Sequence, residues 1–325
     1  MQELATRIEQ VLGAPVRVRP LGHGSCQENF RVDVDGADPL VLRSDARASL
    51  PGSIPRAAEY GVIAAAVAQG VRTPRARWFQ QDLVRPGAGA YFLDWVDGEA
   101  VGARVVRSPA LAAARERLPE QLAESLAAIH RVTSTSYADL ALGGRDLDPA
   151  VYALGFLRQM LDELPQPRPA LEWAWTWCRE HCPARAPTTL VHGDFRTGNF
   201  LVGPDGLQAV LDWEFAHWGD PMDDLGWLCV RDWRFGAVAL PAGGICRRER
   251  FYRAYGAAAG VQVDPARVHF WEIVGNLRWG AAAIFQGERV LSGSSTDLEL
   301  LAIPRRANEM AYEALRLIQV GPPIL

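Results

Sequence analysis

Asp194, Asn199 and Asp212 are the residues of this chain whose types and spacing could do chemistry. The first two belong to the run His192-Gly193-Asp194-Phe195-Arg196-Thr197-Gly198-Asn199, set between the apolar stretches 189–191 and 200–202. A simple connection between strands needs only turn residues; this one holds a carboxylate, an amide and two glycines. Residues 200–202, the turn Gly203-Pro204-Asp205-Gly206 and residues 207–213 read as a hairpin. If Val202 pairs with Leu207, antiparallel register sets Asp212 opposite Thr197 and beside Asn199. Two hard oxygen donors then meet at the open end. That suits magnesium, which takes oxygen ligands at about 2.0–2.1 Å and is commonly held by one or two carboxylates plus substrate phosphates. Asp194, upstream of the hairpin, stands close to that site without being a ligand, where it could act as general base toward a hydroxyl.

The elements that must hold these residues change character along the chain. Apolar positions Leu4, Ile8, Val11 and Leu12 form a helical stripe ended by Gly13. Short strands are expected at 16–21, 30–34 and 39–43, an alanine-rich helix at 54–69, and two more strands at 77–84 and 91–96. After Asp97-Gly98 the pattern is helical, through 110–129, 152–164 and 171–182, apart from 187–213. This divides the chain into a strand-rich part, 1–96, and a helix-rich part, 97–325.

All 34 basic residues are arginine, against 38 acids; residues 1–98 hold 11 of each, so the net charge of -4 arises from residue 99 onward. No basic block occurs, so nothing suggests a nucleic-acid footprint. With 49% hydrophobic and 22% charged residues the composition is that of a globular chain, and the most apolar stretch, 60–71, is too short to span a bilayer. We read the protein as soluble and cytoplasmic, with a small-molecule substrate; its oligomeric state is left open. Five cysteines are too few and too scattered for a disulfide framework. Cys178, His181 and Cys182 have helical spacing but no second ligand pair, so a packed helix end is expected there.

The Asp-x-x-x-x-Asn spacing, followed by Asp212, resembles the catalytic loop and metal-binding aspartate of the protein-kinase superfamily. Together with Leu211-Asp212-Trp213-Glu214 and Gly219-Asp220-Pro221-Met222-Asp223-Asp224-Leu225, it resembles the aminoglycoside phosphotransferase (choline-kinase-like) branch. Asp212-Trp213-Glu214 and the segment from Trp271-Glu272 to Asn276-Leu277-Arg278-Trp279-Gly280 are similar to the kinase-like domains associated with acyl-CoA dehydrogenases. The resemblance implies a two-lobed α+β fold, an N-terminal antiparallel sheet plus helix over a mostly helical lobe, and ATP and Mg2+ as cofactors. It makes Asp194 the catalytic base and Asn199 and Asp212 the magnesium ligands. Residues 22–30, with Gly24, Ser25 and Asn29, become the loop over the phosphates. Arg43 takes the place of the superfamily's lysine, Glu59 is its partner, and Asp94 to Val96 form the hinge that meets the adenine. The loop Gly22-His23-Gly24-Ser25-Cys26-Gln27 lacks the third glycine of the usual pattern, and a planar guanidinium is not equivalent to an ammonium.

His192 is expected to prop the loop. Asp220, Asp223 and Asp224 read as a helix start, while Glu214 either supports the metal or orients the loop. For the acceptor, Trp227, Arg231 and Arg234, and Trp271, Asn276, Arg278 and Trp279, combine aromatic bodies with polar tips. Three functions follow from the resemblance: phosphorylation of a hydroxyacyl or similar metabolite, phosphorylation of an aminoglycoside, or nucleotide binding by a catalytically weak regulator.

Overall fold

The computed structural model describes residues 1–21, 28–45, 50–295 and 297–324. The chain opens with α1 (Gln2–Leu12), closed by Gly13 in the left-handed conformation. A five-stranded antiparallel sheet follows, β1 (Val16–Pro20), β2 (Glu28–Val34), β3 (Leu40–Ser44), β4 (Ala76–Gln81) and β5 (Gly89–Asp94), in the order β1-β2-β3-β5-β4. Between β3 and β4 lies α2 (Arg56–Ala68). It starts later than the apolar pattern implies, because Pro55 holds an extended conformation ahead of it.

Strand periodicity of two sorts the sheet's faces. Leu40, Leu42, Ala90 and Phe92 are buried with Leu4 and Ile8 of α1. The alternate residues Val41, Arg43, Tyr91 and Leu93 point the other way, into a cleft, and Tyr91 packs with Val62 and Ile63 of α2. Sequence alternation on two adjacent strands thus presents Arg43 on the cleft side.

The helical lobe contains α3 (Gly102–Arg107), α4 (Ala112–His130), α5 (Pro149–Asp162) and α6 (Pro169–Glu180), then β6 (Thr189–Val191), β7 (Phe200–Gly203), β8 (Gly206–Val210) and β9 (His217–Gly219). It ends in α7 (Pro221–Cys229), α8 (Arg248–Ala259), α9 (Pro265–Leu291) and α10 (Arg306–Val320). Three of these helices start with the same device. Asp148, Asp220 and Asp264 cap α5, α7 and α9 through backbone N–H groups, each followed by proline. At the end of α6, Cys178 is buried and His181 stacks on Trp177 at 4.2 Å between ring centres.

The hairpin register departs from expectation by one residue. Val202 does pair with Leu207, but a bulge shifts the ladder so that Leu201 faces Ala209 and Phe200 faces Val210. Asn199 consequently accepts a backbone hydrogen bond from Leu211, at 2.8 Å. Asp212 then leaves the ladder with φ 68°, a left-handed conformation unusual for a side-chain-bearing residue. Beneath, β6 pairs with β9.

The α1 seal on the sheet has a measurable consequence. Leu42 is fully buried in that cluster, so Leu42→Ala is expected to destabilise the protein by about 2–5 kcal/mol. Denaturant unfolding checks this, and a loss below about 1 kcal/mol would show that the site collapses without cost.

Candidate active site

A cleft of about 1010 Å³ is lined by the sheet's inner face, the loop after β6, the end of the β7–β8 hairpin, and helices α5, α7 and α9. Asp194, Asn199 and Asp212 all line it.

The loop after β6 is held by a buried carboxylate. Asp224 on α7 accepts the backbone N–H of His192 at 2.8 Å and of Gly193 at 3.0 Å, and faces the His130 ring at 3.2 Å. Burial would raise the Asp224 pKa, but the His130 hydrogen bond and charge, with His192, hold it below the usual carboxylate value. Gly193, with φ 78°, leaves no room for a side chain: a Cβ there would lie 2.2 Å from the Phe215 carbonyl oxygen. His192 spans the loop after β6 and the end of the hairpin. Its Nδ1 accepts the Asp194 N–H at 3.1 Å, so its Nε2 donates to the Leu211 carbonyl, also at 3.1 Å. This is the propping role expected of it, and the ring also packs on Trp213 at 4.5 Å.

Three donors surround the Asp194 carboxylate. Arg196 Nε and Trp227 Nε1 donate to Oδ1, each at 2.8 Å, and Asn199 Nδ2 donates to Oδ2 at 2.6 Å. Because Asn199 Nδ2 also reaches the Asp194 carbonyl at 3.0 Å, its nitrogen is committed to the loop. Oδ1 of Asn199 is the atom left for a cation.

Arg43 crosses between the lobes. Its guanidinium meets Glu59 of α2 at 2.9 and 3.1 Å and Asp212 at 2.6 Å. Burial disfavours its charge, but Glu59 and Asp212 more than offset this and raise its pKa well above the ordinary value. Arg56 shares Glu59 from the other side. Glu214 orients the loop: its side chain accepts from Ser53 Oγ at 3.0 Å, and its carbonyl accepts the Ile54 N–H at 2.7 Å.

With that geometry in place, residues 17–271 match the phosphotransferase enzyme family (APH). The chain belongs to this family. Mouse acyl-CoA dehydrogenase family member 10 is 24% identical over 302 residues, covering 87% of this chain, which spans only 27% of that relative's length. Among solved structures, a candidate aminoglycoside phosphotransferase from Ralstonia eutropha shares the fold with TM-score 0.75 at 22% identity, over 98% of each chain. Aminoglycoside phosphotransferase APH(4)-Ia, in a ternary complex with AMP-PNP and hygromycin B, does so with TM-score 0.66 at 15% identity, over 98% of this chain and 99% of that one. The fold is therefore the two-lobed kinase-like one.

In this member of the family the residues singled out by sequence divide into three groups. Asn29, Arg43, Glu59, Asp94, Val96, Asp194, Asn199, Asp212, Arg278 and Trp279 line the cleft. Asn29 pairs with Arg43 across β2 and β3, and its Oδ1 is buried with no hydrogen-bond partner among the described residues. Asp94 is bound to Arg77 at 2.5 and 3.1 Å. Gly24 and Ser25 lie outside the described residues. Arg231 and Asn276 do not line the cleft: Arg231 pairs with Glu313 at 3.6 Å, and Asn276 is buried in α9, donating to the Glu272 carbonyl. Helical spacing put Asn276 near Arg278, but two residues along a helix turn a side chain to another face. Arg234 is likewise buried, against Glu272.

Sequence reasoning missed Arg196, Trp233 and the cleft-facing position of Asp223. Asp223, assigned to the helix start, has Oδ2 at 3.5 Å from His217 and 3.7 Å from Arg278, and a buried Oδ1 with no hydrogen-bond partner among the described residues. Arg196 sits inside the central motif, two residues from Asp194, a signal available from the start.

The His192 linkage makes stability pH-dependent. Burial lowers its pKa from the ordinary 6.5, against the opposing pull of Asp224, Asp194 and Asp212, and burial lowers that of His269 too. The unfolded chain therefore takes up protons first on acidification. The contribution is complete above about pH 6.5 and is lost as pH falls toward the folded values. Melting temperature is expected to drop below that pH, with a shallower drop in His192→Asn. An unchanged slope in the variant would remove His192 from the account.

Proposed function

We propose that this chain transfers the terminal phosphoryl group of ATP to a hydroxyl of a small, largely apolar acceptor. Residues 1–96 hold the nucleotide and 97–325 the acceptor. The observation that carries the reading is the convergence of Asp194, Asn199, Asp212 and Arg43 on one cleft, from both lobes. Comparison supports the nucleotide: the aminoglycoside phosphotransferase of like fold is a complex with AMP-PNP.

The donor set fits magnesium. Asn199 is oriented with its amide oxygen free of the loop bonds, and Asp212 supplies a carboxylate. When bound, the ion supplies positive charge to the nucleotide phosphates. Asn199 and Asp212 would hold it. Arg43, beside Asn29, serves the α- and β-phosphates, and the 94–96 segment meets the adenine.

Asp194 orients the acceptor hydroxyl and takes its proton, while the loop bonds keep the carboxylate in line. The acceptor limb of the cleft is built from Phe156, Leu157, Met160, Val274, Phe285 and Ile303. Burying an alkyl chain there contributes roughly 0.8 kcal/mol per methylene. Together with the likeness to an acyl-CoA dehydrogenase family member, this favours a hydroxyacyl compound. Arg278 and Trp279 form the wall nearest its polar end.

Purified protein incubated with ATP, magnesium and a panel of hydroxyacyl-CoAs, sugars, amino alcohols and aminoglycosides, with ADP release as the signal, tests the activity. Turnover is expected to rise with acceptor apolar length. Asp194→Asn is expected to lower turnover about 10²–10⁴-fold while still binding MgATP. By calorimetry, Asp212→Ala should bind MgATP much more weakly than the parent. Full turnover in the first variant, or parental affinity in the second, contradicts the assigned role.

A further inference from the structure

We propose that Asp223 and His217 form a recognition site for a second hydroxyl of the acceptor, one that is held and not phosphorylated; this rests on the phosphotransfer reading above. Both residues line the cleft, where β9 leads into α7. The Asp223 side chain is 2% exposed, and its Oδ1 has no hydrogen-bond partner among the described residues. Its Oδ2 lies 3.5 Å from His217 Nε2 and 3.7 Å from Arg278 Nη1, both longer than an ordinary hydrogen bond. A buried carboxylate oxygen in that state is costly, and a ligand that met it would relieve the cost. Since such an oxygen can only accept, the missing partner is a donor.

His217 points to the same conclusion. Its Nδ1 donates to the Phe215 carbonyl at 3.0 Å, which leaves the Nε2 lone pair of the neutral ring facing Asp223 Oδ2. Two acceptors then confront each other with no hydrogen between them. The ring is fixed in place: a Cβ at Gly219 would lie 3.0 Å from Nε2, and Tyr152 stands beside it at 6.1 Å between ring centres. Arg278 is fixed as well, donating through Nη2 to the Gly193 carbonyl at 3.0 Å and lying over Trp227, 3.9 Å from the centroid.

These groups select by charge. An anion would face the Asp223 carboxylate. An ammonium would meet a carboxylate already offset by Arg278, with the guanidinium close to it. A hydroxyl suffers neither penalty: its hydrogen serves Asp223, and its oxygen accepts from Arg278. Arg278 also relates this site to the reacting one, because the carbonyl it holds belongs to Gly193, the residue before Asp194. The acceptor is therefore a diol on an apolar body, with one hydroxyl toward Asp194 and another toward Asp223.

Octanol, its vicinal diol and the matching vicinal amino alcohol are the probes. Calorimetry measures their affinity for the parent, Asp223→Leu and Asp223→Asn, and ADP release with MgATP measures kcat/KM for the same compounds. The parent is expected to favour the diol over octanol at least about tenfold, and to favour it over the amino alcohol as well. Asp223→Leu, which cannot accept a hydrogen bond, should bring the diol-to-octanol ratio to about one, and Asp223→Asn, whose amide oxygen still accepts, should restore part of it. A ratio taken on one sample does not depend on how much of a variant folds. No preference for the diol in the parent, a stronger preference for the amino alcohol, or an undiminished ratio in Asp223→Leu overturns the site. Turnover without the preference removes this inference and leaves the phosphotransfer reading standing. Preferential binding of the diol without turnover supports the recognition site and overturns that reading.

Discussion

A single guanidinium joins the two lobes at the site. Arg43 is nearly buried between Glu59, from the helix against the sheet, and Asp212, from the end of the lower hairpin. Glu59 is buried there with the Arg43 guanidinium against it, and an unpaired buried ion costs several kcal/mol. The junction therefore constrains both partners. Asp212 must leave its strand in a left-handed conformation to reach across, and Glu59 must be shared with Arg56, whose backbone N–H is anchored by Asp45 at 3.1 Å. A lysine would offer one point charge here. The arginine fork contacts two carboxylates at once, which is a physical reason for the planar group to hold this position in a chain without lysine.

The lower half of the site depends on another buried charge. Asp224 secures two consecutive backbone N–H groups of the loop and is itself balanced by His130, which bonds Tyr255 at 2.7 Å. This chain of contacts runs from α8 through α4 and α7 to the loop after β6. His192 then ties that loop to the hairpin through Leu211. The result couples the position of Asp194 to that of Asp212 through one imidazole, with both ring nitrogens in use. Loop residues are thus positioned by helices.

Much of this was legible in the residues. The five strands of the sheet, the helices flanking it, the hairpin and the convergence of Asp194, Asn199 and Asp212 follow from alternation, turn chemistry and spacing. What escaped was set by single-residue events. The bulge at the hairpin moves Asn199 opposite Leu211, and nothing in the apolar pattern of 207–210 announces it. Asp223 and Asp224 occupy the same helix turn and look alike in sequence. The fold turns one under the loop and the other into the cleft, a difference decided by which neighbour each meets. Arg231 and Asn276 illustrate the reverse error. Being polar and near tryptophans along the chain did not place them in the cleft, since Glu313 and the α9 backbone were nearer partners.

The chemistry of the acceptor wall follows from how its charges are already spent. Asp194 is opposed by Arg196, and Asp223 by His217 and Arg278. Both arginines lie over indole rings, Arg196 over Trp233 and Arg278 over Trp227, and the two rings are themselves 5.4 Å apart. Such a wall presents little uncompensated negative charge. A polycation entering it would give up hydration at each ammonium and meet guanidinium groups beside the carboxylates. An apolar body loses no such hydration, and the indole faces together with Phe156, Leu157 and Val274 give it surface to cover. On the proposed reading, the pairing of Asp194 and Asp223 with arginines would act on specificity as much as on stability, removing the attraction that a cationic acceptor would need and leaving the apolar surface to decide.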